Sequence, residues 1–251
     1  MITTGDPRSS LPLSSARKTE IVDVANGVSC SDLSDFPDDI IGAVGANLDG
    51  TPVVCGGYSS GQSGPSEKCY KFTNGVWEEF ATMKEKRYAI DAAGVVYNKK
   101  LHVFGGISSG SSGSVALLTS ETINIDGVVS YGPGMPTGVW KHAMTTLDDA
   151  VSIFSGGWYP IAYTYSSRTW YYNHDTEAFT SGPDLLVGRS NHGSATSVDK
   201  VTKVKIAVVT GGYKNGNLDS TELLINGQWE TGTIQYRRQN VFICSSAIFL
   251  T

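Results

Sequence analysis

The residues of this chain able to do proton, metal or nucleophile chemistry are few, and their spacing keeps them apart. The four histidines, His102, His142, His174 and His192, are too widely separated for the paired ligands of a helical HExxH zinc site, and there is no P-loop or sialidase-type Asp-box. The pattern GxSxG occurs twice, over residues 57–61 and 106–110. A nucleophile elbow needs a strand-turn-helix setting, whereas both copies open loops of Gly and Ser, so they read as chance composition. Asp35, Asp38 and Asp39 lack calcium-loop spacing and read as a solvated turn. The Gly/Ser stretches at 59–64 and 108–114 are flexible tethers, not phosphate cradles, because no helix start follows them. The expectation is therefore no catalytic residue, no metal and no cofactor.

Residues of the kind that anchor binding are placed more regularly. Tyr58, Trp158, Tyr159 and Tyr213 directly follow Gly-Gly pairs, and the cations Arg87, Lys141, Arg189 and Arg238 precede apolar runs. Tyr, Trp and Arg are the usual anchors of interfaces. The densest aromatic stretch spans residues 158–172. Within it Trp170 and Tyr172, or Tyr171, read as core. Trp158, Tyr159, Tyr163 and Tyr165 read either as caps over gaps between elements or as a stacking platform for peptide or sugar. The cations have two readings as well, a binding ring or charges that are solvated or paired with carboxylates such as Glu85.

The elements that must position these residues repeat. An apolar run ends in a glycine doublet four times, at Gly56-Gly57, Gly105-Gly106, Gly156-Gly157 and Gly211-Gly212, with spacings of 49, 51 and 55 residues. Each doublet is followed by a polar loop and a short run (66–72, 120–126, 168–174 and 220–226). A turn such as Asn74-Gly75 or Asn226-Gly227 comes next, then an outer aromatic: Trp77, Phe179, Trp229 and, in the second repeat, Tyr131. Another apolar run and a turn at Asn98-Lys99 or Asp148-Asp149 lead to the next doublet. That is four strands per unit in hairpin order. The runs before the doublets are apolar without alternation, as expected of strands covered on both faces. No long stretch has helical periodicity.

Composition agrees with an all-β chain. Only 17% of the 251 residues are charged and 29 are Gly, which favours short strands and tight turns over charge-driven disorder. The net charge of −5 argues against a general nucleic-acid binder. No apolar stretch approaches the length of about 18 residues that inserts into a membrane. Residues 1–18 read as a disordered leader with no apolar signal-peptide core, and 19–251 as the repeat region.

On the doublets, the Tyr70/Trp77 and Tyr172/Phe179 spacings and Trp229, the chain resembles the kelch-repeat family, whose period is about 50 residues. The resemblance implies a kelch-type β-propeller of about five units, either incomplete or closed by a composite blade. That blade would join 19–24 and 27–33 to 239–251. It implies a non-catalytic module that presents loops on one face to a protein, an acidic peptide included, or to a glycan. In kelch substrate adaptors an Arg near the position of Arg87, Arg189 and Arg238 contacts acidic peptides. Two other classes share the fold. A galactose-oxidase-like copper-radical enzyme would need two Tyr, two His and a Tyr-linked Cys, and no Cys accompanies His142 and His192. An intracellular ubiquitin-ligase adaptor would need dimerisation helices for which this chain has no room.

Cys55 and Cys69 fall on strands expected to be hairpin neighbours, either as a bridge or as two buried thiols. The C-G-G…C-Y pattern resembles secreted invertebrate kelch proteins, which implies the bridge and an extracellular compartment. The absence of a signal-peptide core points instead to the cytoplasm. Cys30 and Cys244 fall on non-adjacent strands of the composite unit.

Overall fold

A computed structural model of the chain describes residues 2–3, 17–23, 28–30, 33–59, 61–90, 93–110, 113–198 and 204–232. These residues form strands, turns and bends, with no α-helix among them. Four antiparallel sheets of four strands follow one another along the chain, each with its strands in sequence order. Unit I comprises Val44–Leu48, Thr51–Cys55, Lys68–Thr73 and Val76–Thr82. Unit II comprises Gly94–Tyr97, Lys100–Phe104, Ser120–Asn124 and Val129–Tyr131. Unit III comprises Ala143–Thr146, Val151–Ser155, Thr169–Asn173 and Ala178–Ser181. Unit IV comprises Gly193–Val198, Lys205–Thr210, Thr221–Ile225 and Gln228–Gly232.

Turn chemistry sets the hairpins. Asp49-Gly50, Asn74-Gly75, Asn98-Lys99 and Asn226-Gly227 all have positive φ at both residues, the backbone that a two-residue hairpin of matching twist requires. In unit III the Asp148 carboxylate instead accepts from the Ala150 and Val151 amides at 3.0 and 2.8 Å, an Asx-type turn.

The core is a series of apolar layers between successive sheets. Val53, Cys55 and Cys69 of unit I pack with Leu101, Val103 and Ile123 of unit II. Phe104 of unit II meets Phe154 and Tyr172 of unit III. Ile153 of unit III meets Val209, Leu224 and Trp229 of unit IV. The other face of unit I, with Val54, Tyr70 and Trp77, is covered by Phe36 and Ile40. Every second residue of a strand thus serves one layer and its neighbours the other, which explains the unbroken apolar runs. Trp77 and Trp229 are buried as the outer aromatics of their units, whereas Tyr131 lies 56% exposed.

The first strands of successive units lie side by side, joined just upstream by a seam. Gly42, Ala89, Lys141 and Asn191, one residue per unit, all have positive φ. The Gly42 carbonyl accepts from the Ile90 amide at 3.1 Å, that of Ala89 from Lys141 at 3.0 Å, and that of Lys141 from Asn191 at 3.0 Å.

At the N-terminus, Glu20–Asp23 pairs with Val28–Cys30 and also with Ile2–Thr3, so part of the expected leader is an edge strand. The C-terminal strand expected at 239–251 lies outside the described residues.

Candidate functional site

The glycine doublets are where units meet. All eight glycines have positive φ. The Gly57 and Gly157 amides donate to the carbonyls of Arg87 and Arg189, which lead into the next unit, at 2.9 and 2.8 Å. A Cβ on Gly56 would stand 2.6 Å from the Arg87 oxygen, and one on Gly156 2.5 Å from that of Arg189. The positions demand glycine both for backbone conformation and for closeness of approach.

The segment after each doublet pairs with the segment ahead of the same unit's first strand: Tyr58 with Ile41, Ile107 with Tyr88, Trp158 with Trp140 and Tyr213 with Ser190. The two loop sets singled out in the sequence therefore share one side of the array. Tyr58 packs edge-on against Tyr88 with centroids 5.4 Å apart. In unit III, Trp158–Tyr159 and Thr164–Tyr165 form a two-stranded hairpin. Trp158 meets Tyr165 at 4.8 Å, and Tyr165 meets Tyr213 of unit IV at 5.7 Å. The hairpin tip carries Ile161 and Tyr163 at 80% and 83% exposure, and Tyr163 holds a positive φ of 48°, rare for a bulky residue outside turns and functional sites. Trp158 and Tyr159 are half-buried, and Tyr213 is exposed.

Three of the four cations do not form a surface ring. Arg87 and Arg189 are completely buried. Arg87 Nη2 donates to Glu121 Oε1 at 2.7 Å, and its Nη1 to the Gly105 and Thr119 carbonyls at 2.8 and 3.2 Å. Arg189 repeats this with Glu222 at 2.5 Å and the Gly211 and Ser220 carbonyls at 2.8 and 3.1 Å. Each carboxylate also accepts two backbone amides, from Lys84 and Glu85 for Glu121, and from Leu186 and Val187 for Glu222. The reading as exposed cations fails because each guanidinium meets a buried carboxylate and two backbone carbonyls, the condition under which Arg goes inside. Lys141 is half-buried and its backbone belongs to the seam. Arg238 lies outside the described residues.

Sequence reasoning missed Glu121 and Glu222. A signal was present: Ser-Glu at 120–121 and Thr-Glu at 221–222 occur in the two units that carry the Arg. The other two have Cys-Tyr at 69–70 and Thr-Trp at 169–170.

Cys55 and Cys69, directly opposed on the second and third strands of unit I, form a disulfide and are fully buried. The side chain of Cys30 and all of Cys244 lie outside what is described.

The histidines are internal. Burial holds His142 at about 4 and His192 at about 3, the latter helped by the nearby Arg189 charge. His192 Nε2 contacts Ser155 Oγ at 2.9 Å, while neither ring nitrogen of His142 has a partner among the described residues. His102, also near 4 through burial, packs edge-on against His174 at 4.9 Å, and His174 Nε2 contacts Ser152 Oγ at 2.8 Å. Burial likewise pushes the Tyr172 hydroxyl up to about 12. Among the described residues, no three His, Cys, Asp or Glu side chains come together as a metal site would require, and no helix is long and apolar enough to cross a membrane.

The chain matches no family model, and no curated protein is detectably similar to it.

Proposed function

We propose that this chain is a kelch-type β-propeller acting as a non-catalytic binding module, with the loop side around the doublets as its binding face and a protein or glycan as its ligand. The observation that carries this reading is the aromatic ridge Trp158–Tyr165–Tyr213, continued outward by Ile161 and Tyr163. Exposed flat rings held by neighbouring rings give contact area at little entropic cost. Tyr58, Lys141 and Tyr159 border the same side. Four sheets of one pattern, stacked face to face in chain order and joined through their first strands, support the propeller. Closure would need a further unit next to Phe36 and unit IV, and it would remove exposed sheet edges. The disulfide favours an oxidising, extracellular setting.

The test is binding of the purified chain to arrays of immobilised oligosaccharides and of peptides. Tyr163→Ala combined with Tyr213→Ala should lower retention by about tenfold or more, as expected of truncated anchors. Tyr131→Ala, on an outer strand, should not. Equal retention of all three proteins would refute the loop side as the binding face.

A further inference from the structure

Strand register aligns the four units residue by residue. The last residue of each second strand faces Cys69, Ser120, Thr169 or Thr221, so Tyr70, Glu121, Trp170 and Glu222 are equivalent. The second doublet glycines of the first three units donate to Arg87, Val139 and Arg189, which are therefore equivalent too. Units II and IV fill this place with Arg–Glu. Unit III carries Val139 and Trp170 instead.

The exchange leaves donors behind. The two amides that hold the carboxylate in units II and IV correspond in unit III to Pro136, which has none, and Thr137, whose N–H makes no hydrogen bond among the described residues. Trp170 Nε1 and both ring nitrogens of His142 are also unpartnered among the described residues, and His142 is only 2% exposed. Arg168, exposed and in no ion pair among the described residues, stands where Thr119 and Ser220 stand in those units. These groups line one cavity, whose remaining walls include Val139 and Phe154. Its volume for a water-sized sphere is about 10 Å³, enough for one oxygen atom.

We propose that this cavity is a carboxylate site, taking one oxygen of an external carboxylic acid into the place that Glu121 and Glu222 occupy in units II and IV. The lining carries N–H donors on Thr137, Trp170 and neutral His142 and a guanidinium on Arg168; of its hydroxyls, Ser155 is engaged by His192 and Ser166 by the Arg168 amide. A carboxylate oxygen brings only lone pairs and so matches these N–H donors. The remainder of the ligand extends past Arg168 to solvent. The same chemistry is presented by a small free acid and by a glutamate side chain of a partner. The site requires unit III alone and does not depend on the aromatic ridge or on ring closure.

The experiment is a titration of the ¹⁵N-labelled full chain with sodium acetate, and in a second arm with N-acetyl-glutamate N-methylamide, at ionic strength held constant with NaCl. The Trp170 indole N–H, identified by its loss in Trp170→Phe, and the Thr137 amide should shift saturably at millimolar acetate. Arg168→Gln should raise the midpoint by about tenfold, the consequence of removing a charged hydrogen bond. The double variant Val139→Arg with Trp170→Glu installs the pair of units II and IV and should abolish the Thr137 response in a chain that still unfolds cooperatively. Shifts with both ligands mark a seat open to a partner's side chain, and shifts with acetate alone mark a small-acid seat. No saturable shift with either ligand, or equal shifts with NaCl alone, would overturn the proposal. Loss of ridge binding in Tyr163→Ala with Tyr213→Ala would leave the acetate titration unchanged.

Discussion

Arg189 and Glu222 face each other at 2.5 Å with both side chains almost wholly withdrawn from solvent, and Arg87 with Glu121 repeats the contact at 2.7 Å. The equivalent places in units I and III hold Ile40 with Tyr70 and Val139 with Trp170. The array thus solves one packing problem in two ways, by charge in alternate units and by apolar contact in the others. Such exchanges are close to neutral when both partners change together, while removal of one partner leaves an uncompensated buried charge.

Arg189→Met should therefore destabilise the chain by about 3–5 kcal/mol, and Arg189→Val with Glu222→Trp by clearly less. Urea denaturation of the two variants decides it. A double variant as unstable as the single one would show that the pair itself, not its completeness, matters.

The disulfide joins residues 14 apart in sequence. A bridge closing a loop of that size adds about 3 kcal/mol. Cys55→Ser with Cys69→Ser should lose at least that amount, because two hydroxyls then replace buried sulfurs. The parent protein should show a matching fall in Tm under reductant, and an unchanged Tm would mean that the bridge does not restrain the unfolded chain.

Acid should weaken the fold through its histidines. Burial lowers the pKa of all four, so the unfolded chain binds more protons than the folded one below the unfolded value of about 6.5. Stability is full above that pH and falls as pH drops toward about 4 for His102 and His142 and about 3 for His192. Within the window the fully buried His142 and His192 each cost about 1.4 kcal/mol per pH unit. Denaturation at neutral and acidic pH should show the slope, and His142→Leu should flatten it.

Glycines that share a positive φ should differ in what they tolerate. A Cβ at Gly156 meets the Arg189 carbonyl at 2.5 Å, whereas one at Gly75 meets nothing within 4 Å. Gly75→Ala should cost about 1 kcal/mol for its left-handed backbone. Gly156→Ala adds a clash that backbone must move to relieve and should cost well beyond that. Thermal melts showing equal losses would refute the close approach between units.

The repeat was legible because Gly56-Gly57 and its three counterparts answer to a geometric need that no other residue meets, so they recur in register. The turns at Asn74-Gly75 and Asn226-Gly227 were legible for the same local reason. Of the two readings of Arg87 and Arg189, pairing with carboxylates holds, Glu85 lying 3.8 Å from Arg87, but the principal partners went unseen because they lie 34 and 33 residues further along the chain, on a strand that only the fold brings near. Tyr131 aligns in sequence with Trp77 as an outer aromatic, yet the fourth strand of unit II holds only three residues and ends with that ring in solvent. The unit III cavity escaped notice because it is defined by what Val139 and Trp170 do not supply, and single-residue patterns do not register an unmet partner.

The seam through Gly42, Ala89, Lys141 and Asn191 has a mechanical consequence. Each link lends its oxygen to an amide of the unit that follows, so no sheet can detach without stranding a polar backbone group on its neighbour. The array therefore behaves as a laced strip, not a stack of loose plates. It should open as a single event, with the Ile90, Lys141 and Asn191 amides among the last to exchange with deuterium.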